Sequence, residues 1–292
     1  MRSWLLPLLL PTLLAAPFAP SLAAQDKSVV RLTPLRVSPA CTVSQEIGIS
    51  KVGISFARPA VKGRKIWGDL VPFGQVWRAG ANSATVITFS HAAKVAGKDV
   101  PAGSYGFFVI PGEKAWTLIL NKKPNQWGAY EYKKEDDVMR WAATPQAGPF
   151  LEYLDYRVIP MDTGHATLEL GWENLRVTFP VAFDTRAIYW AHLEASLKEA
   201  PDTDWIPWYQ AAKYCQEQGI EPQKAMALIE KSLKIGESFW NHETAARIYK
   251  DAKHLPEARV HLQKAIELSK ANAPKEYTEN LEKELSNWKA GK

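Results

Sequence analysis

The residue pattern changes at Asp184, and this change constrains the fold more than any other feature of the chain. Before it, short runs of β-branched, aromatic and alternating apolar residues are separated by turn-forming residues, a pattern typical of strands. After it, Ala, Glu, Lys, Gln and Leu recur at helical spacing. We therefore predict a two-domain α+β protein, with an all-β domain at residues 45–184 and an α-helical domain at residues 185–292.

The first domain is predicted to be an antiparallel β-sandwich or a jelly-roll-like barrel. Its strands follow one another at short intervals, and no amphipathic helices lie between them. The clearest hairpin joins residues 166–172 to residues 175–179 through Glu173 and Asn174, which have the length and composition of a two-residue turn.

The helical domain contains an internal repeat. Ala212 and Ala225 recur as Ala245 and Ala258, an offset of 33 residues. This offset lies next to the 34-residue period of the tetratricopeptide repeat, and residues 205–271 resemble two such helix–turn–helix units.

Stacked repeats of this kind usually need three or more units. Turn residues at 218–222 and 253–256 separate the predicted helices. We expect the flanking helices at 187–197 and 275–289 to serve as added layers or caps.

The N-terminus has the pattern of a cleavable signal peptide over residues 1–24. Arg2 precedes a short apolar stretch, and the small residues Ala23 and Ala24 provide a cleavage site. A membrane anchor is the alternative, but proline interrupts the apolar stretch and it is too short to span a bilayer. We therefore expect an exported protein, periplasmic or secreted, with no membrane span after cleavage and with residues 25–44 as an N-terminal extension.

Composition excludes several classes of protein. The hydrophobic fraction of 46% is enough to fill a core, so global disorder is excluded. The net charge of +5 is spread along the chain without a basic tail or stripe, which argues against nucleic-acid binding. Cys41 and Cys215 have no neighbours at metal-ligand spacing, and we predict no disulfide, no metal site and no cofactor.

The densest cluster of unusual residues is the long loop at 55–82, which combines Gly, Pro, Trp and basic side chains. Long loops on a rigid scaffold often carry binding sites, and an arginine side chain can bind carboxylate or phosphate through two hydrogen bonds. We predict a pocket for a polar or anionic ligand, with two Trp rings as stacking platforms. The candidate residues are Ser55, Arg58, Lys62, Arg64, Trp77, Arg78, Asn82 and Trp127.

The same loop, taken with several shorter motifs, closely resembles DUF2911, a bacterial family of unknown function. The matching motifs are residues 38–40, 55–82, 101–105, 110–112, 121–122 and 126–130. The resemblance covers residues 35–184, and it implies an exported protein that often has a helical C-terminal segment. Cys41 departs from the family pattern, which implies that its thiol has no family role. The resemblance implies no activity.

Two functions follow as hypotheses. We favour a non-catalytic binding module of the bacterial envelope, which binds a small polar or anionic molecule or a glycan at the loop and a protein partner at the helices. The alternative is an enzyme of hydrolase type that uses the loop with a carboxylate.

Both hypotheses compete with a purely structural interpretation of the loop. In that interpretation Arg58 and Arg78 pin the loop, and Trp77 and Trp127 belong to the core. The sequence supplies no motif of a known catalytic site. The acidic residues near position 135 could include a catalytic pair, but a solvated face is the better prediction; they are Glu131, Glu135, Asp136 and Asp137.

Overall fold

A computed structural model describes residues 35–289, and these form a β region followed by a helical region. The predicted signal peptide at 1–24 lies outside the described residues. The α+β layout is confirmed: the last strand ends at Ala182 and the first helix begins at Thr185.

The β region contains ten strands and the helical region six helices within residues 35–289. The strands are β1 (Ala40–Ile47), β2 (Ser50–Ala57), β3 (Thr85–Phe89), β4 (Ala93–Val95), β5 (Lys98–Val100), β6 (Gly103–Ile110), β7 (Trp116–Asn121), β8 (Asp137–Ala143), β9 (Gln146–Pro160) and β10 (His165–Ala182). The helices are α1 (Thr185–Glu199), α2 (Ile206–Gln218), α3 (Pro222–Ile235), α4 (Phe239–Asp251), α5 (Leu255–Asn272) and α6 (Lys275–Lys289).

The strands form two antiparallel sheets with a common core. The larger sheet has the order β1-β2-β3-β6-β7-β8, and the smaller has the order β5-β4-β10-β9. Apolar side chains of both sheets belong to one buried cluster, in which Phe107 of β6 stacks on Phe179 of β10 with ring centroids 5.6 Å apart. This core fixes the ends of the strands from which the candidate loop extends.

Strand β1 begins at Ala40, inside the segment 25–44 that we expected to be an extension. It lies at the edge of the larger sheet, where β2 is its single neighbouring strand among the described residues. Its outward side chains, such as Ser44 and Glu46, are exposed and polar. An edge strand with one solvent-exposed face contains few apolar residues in sequence. This explains why the sequence pattern placed the start of the domain at Gln45.

The predicted hairpin at Glu173 and Asn174 is wrong, because β10 runs through both residues as one strand of 18 residues. Its pairing with β9 shifts register between Gly171 and Leu175, as at a β-bulge, and Glu173 adopts a left-handed φ of 52°. Turn-forming residues therefore mark a bulge here.

The helical region consists of two similar helical hairpins between an outer helix on each side. Helices α2 and α3 begin 33 residues before α4 and α5, as the repeat predicts. The recurring alanines, Ala212 and Ala225 in one hairpin and Ala245 and Ala258 in the other, are all buried. Small side chains at these points let the helices approach closely.

Two further findings concern the predicted class of the protein. Among the described helices, none combines the length and apolar character needed to cross a membrane. Cys41 and Cys215 are both free thiols, and Cys215 is buried in the helical core.

Candidate functional site

The structure separates the predicted site residues into groups that lie in different places. Arg58 faces strand β9, where its Nε donates to the carbonyl of Leu154 at 3.1 Å and its guanidinium pairs with Asp155 at 3.2 Å. Ser55 lies on the exposed face of β2, and its hydroxyl is 3.1 Å from that of Thr42 on β1. Ser55 therefore links two neighbouring strands of the larger sheet, and Arg58 ties the start of the loop to β9 of the smaller sheet.

Lys62 and Arg64 also hold the loop in place. The backbone N–H of Lys62 donates to the Glu152 carboxylate at 2.9 Å, which ties the loop to β9. The Arg64 guanidinium donates to the carbonyls of Val61 and Ala60, at 3.0 and 2.5 Å. These contacts correspond to the structural interpretation of the basic cluster.

Trp77 lies in the core, with only 9% of its surface exposed. Its indole N–H donates to the carbonyl of Gly80 at 3.2 Å. Its ring stacks on Trp172 at 6.0 Å and meets Trp67 edge-on at 5.7 Å. A ring enclosed in this way has no free face for a ligand, which is the core alternative that the sequence left open.

Arg78 is the exception among the arginines. Six arginines of residues 35–289 are partly buried, and the side chains of five of them bond to a carboxylate or a carbonyl. Arg78 is the sixth: within the described residues its side chain makes no hydrogen bond or ion pair, and its buried Nε has no partner. A buried cation without an anion is costly.

The electrostatics of Arg78 reflect this isolation. Burial lowers the pKa of its guanidinium from the ordinary value, and the neighbouring Tyr130 phenol opposes this shift. Tyr130 has no carboxylate, so it does not supply the anionic partner that the guanidinium lacks. An anion that reached Arg78 would supply the missing partner.

Asn82 and Trp127 are brought to the same place as Arg78. The N–H of Thr85 donates to the carbonyl of Arg78 at 3.1 Å, which closes the turn that follows Arg78. The N–H of Gly128 donates to the carbonyl of Asn82 at 3.0 Å, and Ser83 pairs with Trp127 in an antiparallel bridge. The Asn82 amide itself donates to the carbonyl of Ser38 at 3.1 Å and so anchors the incoming chain.

Tyr130 belongs to this site, although the sequence did not single it out. It is 86% exposed, and Trp127 nearby is 55% exposed. Gly128 lies between them with a left-handed φ of 68°, and a Cβ there would meet the Tyr130 ring at 2.7 Å. A glycine between two aromatic residues is the signal that could have identified this pair of rings.

A buried amide fixes the loop at 122–136 that carries these two rings. Asn121 is fully buried, and its Oδ1 accepts from the N–H of Lys123 at 3.0 Å and from Gln126 Nε2 at 3.2 Å. Its Nδ2 donates to the carbonyl of Lys133 at 3.2 Å and to Asp137 at 2.9 Å. One side chain therefore ties both ends of the loop.

Part of the acidic stretch is integrated into this network instead of facing solvent. Asp136 is buried, and its carboxylate pairs with Lys122 at 3.1 Å and with Lys123 at 2.8 Å. These pairs lower the pKa of Asp136. Glu131 and Glu135 are exposed, as predicted for a solvated face.

Asp137 completes the anchor. Its Oδ2 accepts from the Tyr132 hydroxyl at 2.7 Å and from Arg140 Nε at 2.6 Å, and Arg140 also donates to the Tyr132 oxygen. Burial and the hydrogen bond to Asp137 raise the pKa of Tyr132 to about 12. All these groups are therefore committed to one another.

The helical region contains a histidine pair in which His242 is buried and His261 is half-buried. Nδ1 of His242 on α4 lies 3.0 Å from Nδ1 of His261 on α5, so one ring donates to the other. Burial lowers the pKa of both rings. Within residues 35–289, no group of three or more His, Cys, Asp or Glu side chains could hold a metal ion.

Comparison with protein families gives one match. Residues 38–181 match the family model described as "Protein of unknown function (DUF2911)". The comparisons with curated proteins and with solved structures found no match. The matched segment contains Arg78, Asn82, Trp127 and Tyr130.

Proposed function

Residues 38–181 make this chain a member of the DUF2911 family, whose function is unknown, and on that premise we propose that its β region is a non-catalytic module that binds an anionic ligand at Arg78. The observation that carries the proposal is the partly buried guanidinium of Arg78, which has no anionic partner within residues 35–289. The ligand would supply the carboxylate or phosphate oxygens that no residue of 35–289 provides to Arg78.

The distribution of charge supports an anionic ligand. Lys and Arg outnumber Asp and Glu by 19 to 15 in residues 25–184, whereas residues 185–292 contain 16 of each class. The excess positive charge of the chain therefore belongs to the region that contains Arg78, and it favours the approach of anions.

Binding is favoured over hydrolysis because no carboxylate of residues 35–289 pairs with Arg78. A hydrolase acting at this loop would need an acid or base close to the bound group. The neighbouring carboxylates Asp136 and Asp137 are held by lysine, tyrosine and arginine side chains. Arg58, which does meet a carboxylate, is engaged in tying the loop to β9.

We further propose that the protein is exported and that its helices form a tetratricopeptide-like module for a protein partner. The signal-like pattern at 1–24 supports export to the periplasm or beyond the cell. The two helical hairpins, offset by 33 residues, support a repeat-type interaction surface.

Calorimetric titration with citrate, sulfate and phosphate tests the anion site. We expect at least one of these anions to bind, and Arg78→Gln to weaken its binding about tenfold or more, since a charge-assisted pair contributes about 1.5–3 kcal/mol. Arg64→Gln is the matched control, because it removes the same charge from the same loop but from a side chain bound to its own backbone. No binding of any anion, or equal losses in both variants, would overturn the proposal.

A further inference from the structure

Two exposed aromatic rings lie beside the cation of the proposed site. Trp127 and Tyr130 are 55% and 86% exposed, and the Tyr130 phenol is an electrostatic neighbour of Arg78. Large aromatic side chains this exposed are a feature of binding surfaces, where one face of the ring receives a partner. A simple inorganic anion would use the guanidinium and make no use of the exposed Tyr130 ring.

The backbone that carries the rings is held in place before any ligand arrives. The Tyr130 ring rests against Gly128, where any larger residue would collide with it. The backbone of Trp127 is paired with Ser83, and the whole loop is tied down by the buried Asn121. Rigid aromatic side chains lose little conformational freedom on binding, so they can contribute most of their contact energy to affinity.

The charge of the site favours one carboxylate over a phosphate. Arg78 supplies one positive charge. The lysines Lys122 and Lys123 share the Asp136 carboxylate, and the Glu131 carboxylate also acts on Lys123, so these four groups carry no net charge. A phosphate monoester carries about 1.5 to 2 negative charges at pH 7, more than this site would balance, whereas a carboxylate carries one. The best-matched ligand therefore combines a single carboxylate with a ring whose face can pack on an aromatic side chain.

From this juxtaposition we propose that the site binds a carboxylated sugar, such as a uronic acid unit of an acidic glycan. The carboxylate pairs with Arg78, and the C–H face of the sugar ring packs on Tyr130, whose ring face carries partial negative charge. This proposal rests on the proposed function and specifies its ligand.

Titration with three probes separates the contributions of charge and ring. The probes are tetragalacturonate, the ringless propane-1,2,3-tricarboxylate and the neutral galactotetraose. We expect tetragalacturonate to bind about tenfold more tightly than the ringless acid, which corresponds to an aromatic contact of about 1.4 kcal/mol. The neutral sugar lacks the carboxylate and should bind far more weakly than either.

Three variants identify the groups responsible. Tyr130→Ala should remove the tenfold advantage of the sugar acid and leave the affinity for the ringless acid unchanged, whereas Arg78→Gln should weaken both. Tyr153→Ala is the matched control. Tyr153 is also an exposed tyrosine, but it lies on β9, where its backbone pairs with Ala60 of the loop. Circular dichroism verifies that each variant is folded.

The outcomes distinguish the two proposals. Equal affinities for the sugar acid and the ringless acid, or no effect of Tyr130→Ala, would overturn the carboxylated-sugar proposal and leave the anion site standing. Unchanged binding of both acids by Arg78→Gln would overturn the anion site itself.

Discussion

Two partly buried arginines show how differently the helical region and the β region treat charge. Arg247 on α4 lies between Glu243 at 2.8 Å and Glu284 at 3.1 Å. Burial alone would lower its pKa, but the two carboxylates raise it above the ordinary value. Burial lowers the pKa of Arg78, and no carboxylate of the described residues pairs with it. Two carboxylates therefore neutralise Arg247 within the helical region, whereas Arg78 in the β region has no carboxylate partner among residues 35–289.

This difference teaches that unpaired charge, more than the density of basic residues, marks the candidate site. Arg58 and Arg64 are as basic as Arg78 and lie in the same loop, yet their guanidinium groups bond to β9 or to their own backbone. The Lys62 side chain of this loop is exposed, so water solvates its charge and no partner is needed. The following predictions test whether the two regions differ in the way described, beginning with the largest expected effect.

Trp77→Ala should lower the free energy of unfolding by about 4 kcal/mol, because it removes an aromatic side chain from the core of the β region. Trp240→Ala in the helical region should cost less than about 1 kcal/mol, since 48% of Trp240 is exposed. Chemical denaturation of both variants measures the difference. Similar losses would mean that Trp77 is not a core residue.

Asn121→Ala should cost about 3 kcal/mol, because it leaves several buried hydrogen-bonding groups around the 122–136 loop without partners. The matched control in the helical region is Asn272→Ala, which removes one exposed hydrogen bond to the Leu268 carbonyl and should change stability by less than about 0.5 kcal/mol. If Asn121→Ala unfolds like the wild type, the loop is not anchored as described.

Arg247→Met should cost about 1 kcal/mol, because it leaves the Glu243 and Glu284 carboxylates without their shared cation. The loss is moderate because 41% of the Arg247 side chain is exposed and solvent screens the pair. Urea denaturation in low and high salt provides the measurement. If the variant is as stable as the wild type, the carboxylates do not stabilise Arg247, and Arg247 and Arg78 do not differ in the way proposed.

The histidine pair predicts that the helical region responds to acid. Burial lowers the pKa of His242 and His261 below the ordinary value near 6.5. The unfolded chain therefore binds more protons below pH 6.5, and stability should fall as the pH drops through that range.

The groups facing this pair set the size of the acid effect. The carboxylates of Glu230 and Glu237 oppose the lowered pKa values, and Lys264 reinforces that of His242. Thermal melts between pH 5 and 8 of the wild type and of the double variant His242→Asn with His261→Gln measure the effect. The variant should lose part of the pH dependence, and identical profiles would contradict the prediction.

Much of the layout follows from local patterns in the sequence. The change of periodicity at Asp184 predicts the first helix, which begins at Thr185. The repeat predicts the turns that end α2 at Gln218 and α4 at Asp251. These features depend on neighbouring residues, so the sequence alone contains the information.

The rest depends on contacts between distant parts of the chain. Glu173 has turn chemistry, but its pairing with β9 makes it part of a bulge. Arg58 meets Leu154 across 96 residues, and no local pattern links the two. Arg78 is isolated because the fold brings no carboxylate of residues 35–289 into contact with it. The sequence could therefore identify Arg78 as a candidate but could not rank it above the other arginines.

The most direct test of the account is the free energy of unfolding of Arg78→Met without added anions. Methionine replaces the aliphatic part of the arginine side chain and removes a partly desolvated cation that residues 35–289 do not pair. The account predicts a variant as stable as the wild type or up to about 1 kcal/mol more stable. A loss of more than about 1 kcal/mol would show that the protein itself stabilises the Arg78 charge, and the site would then not be open to an anion.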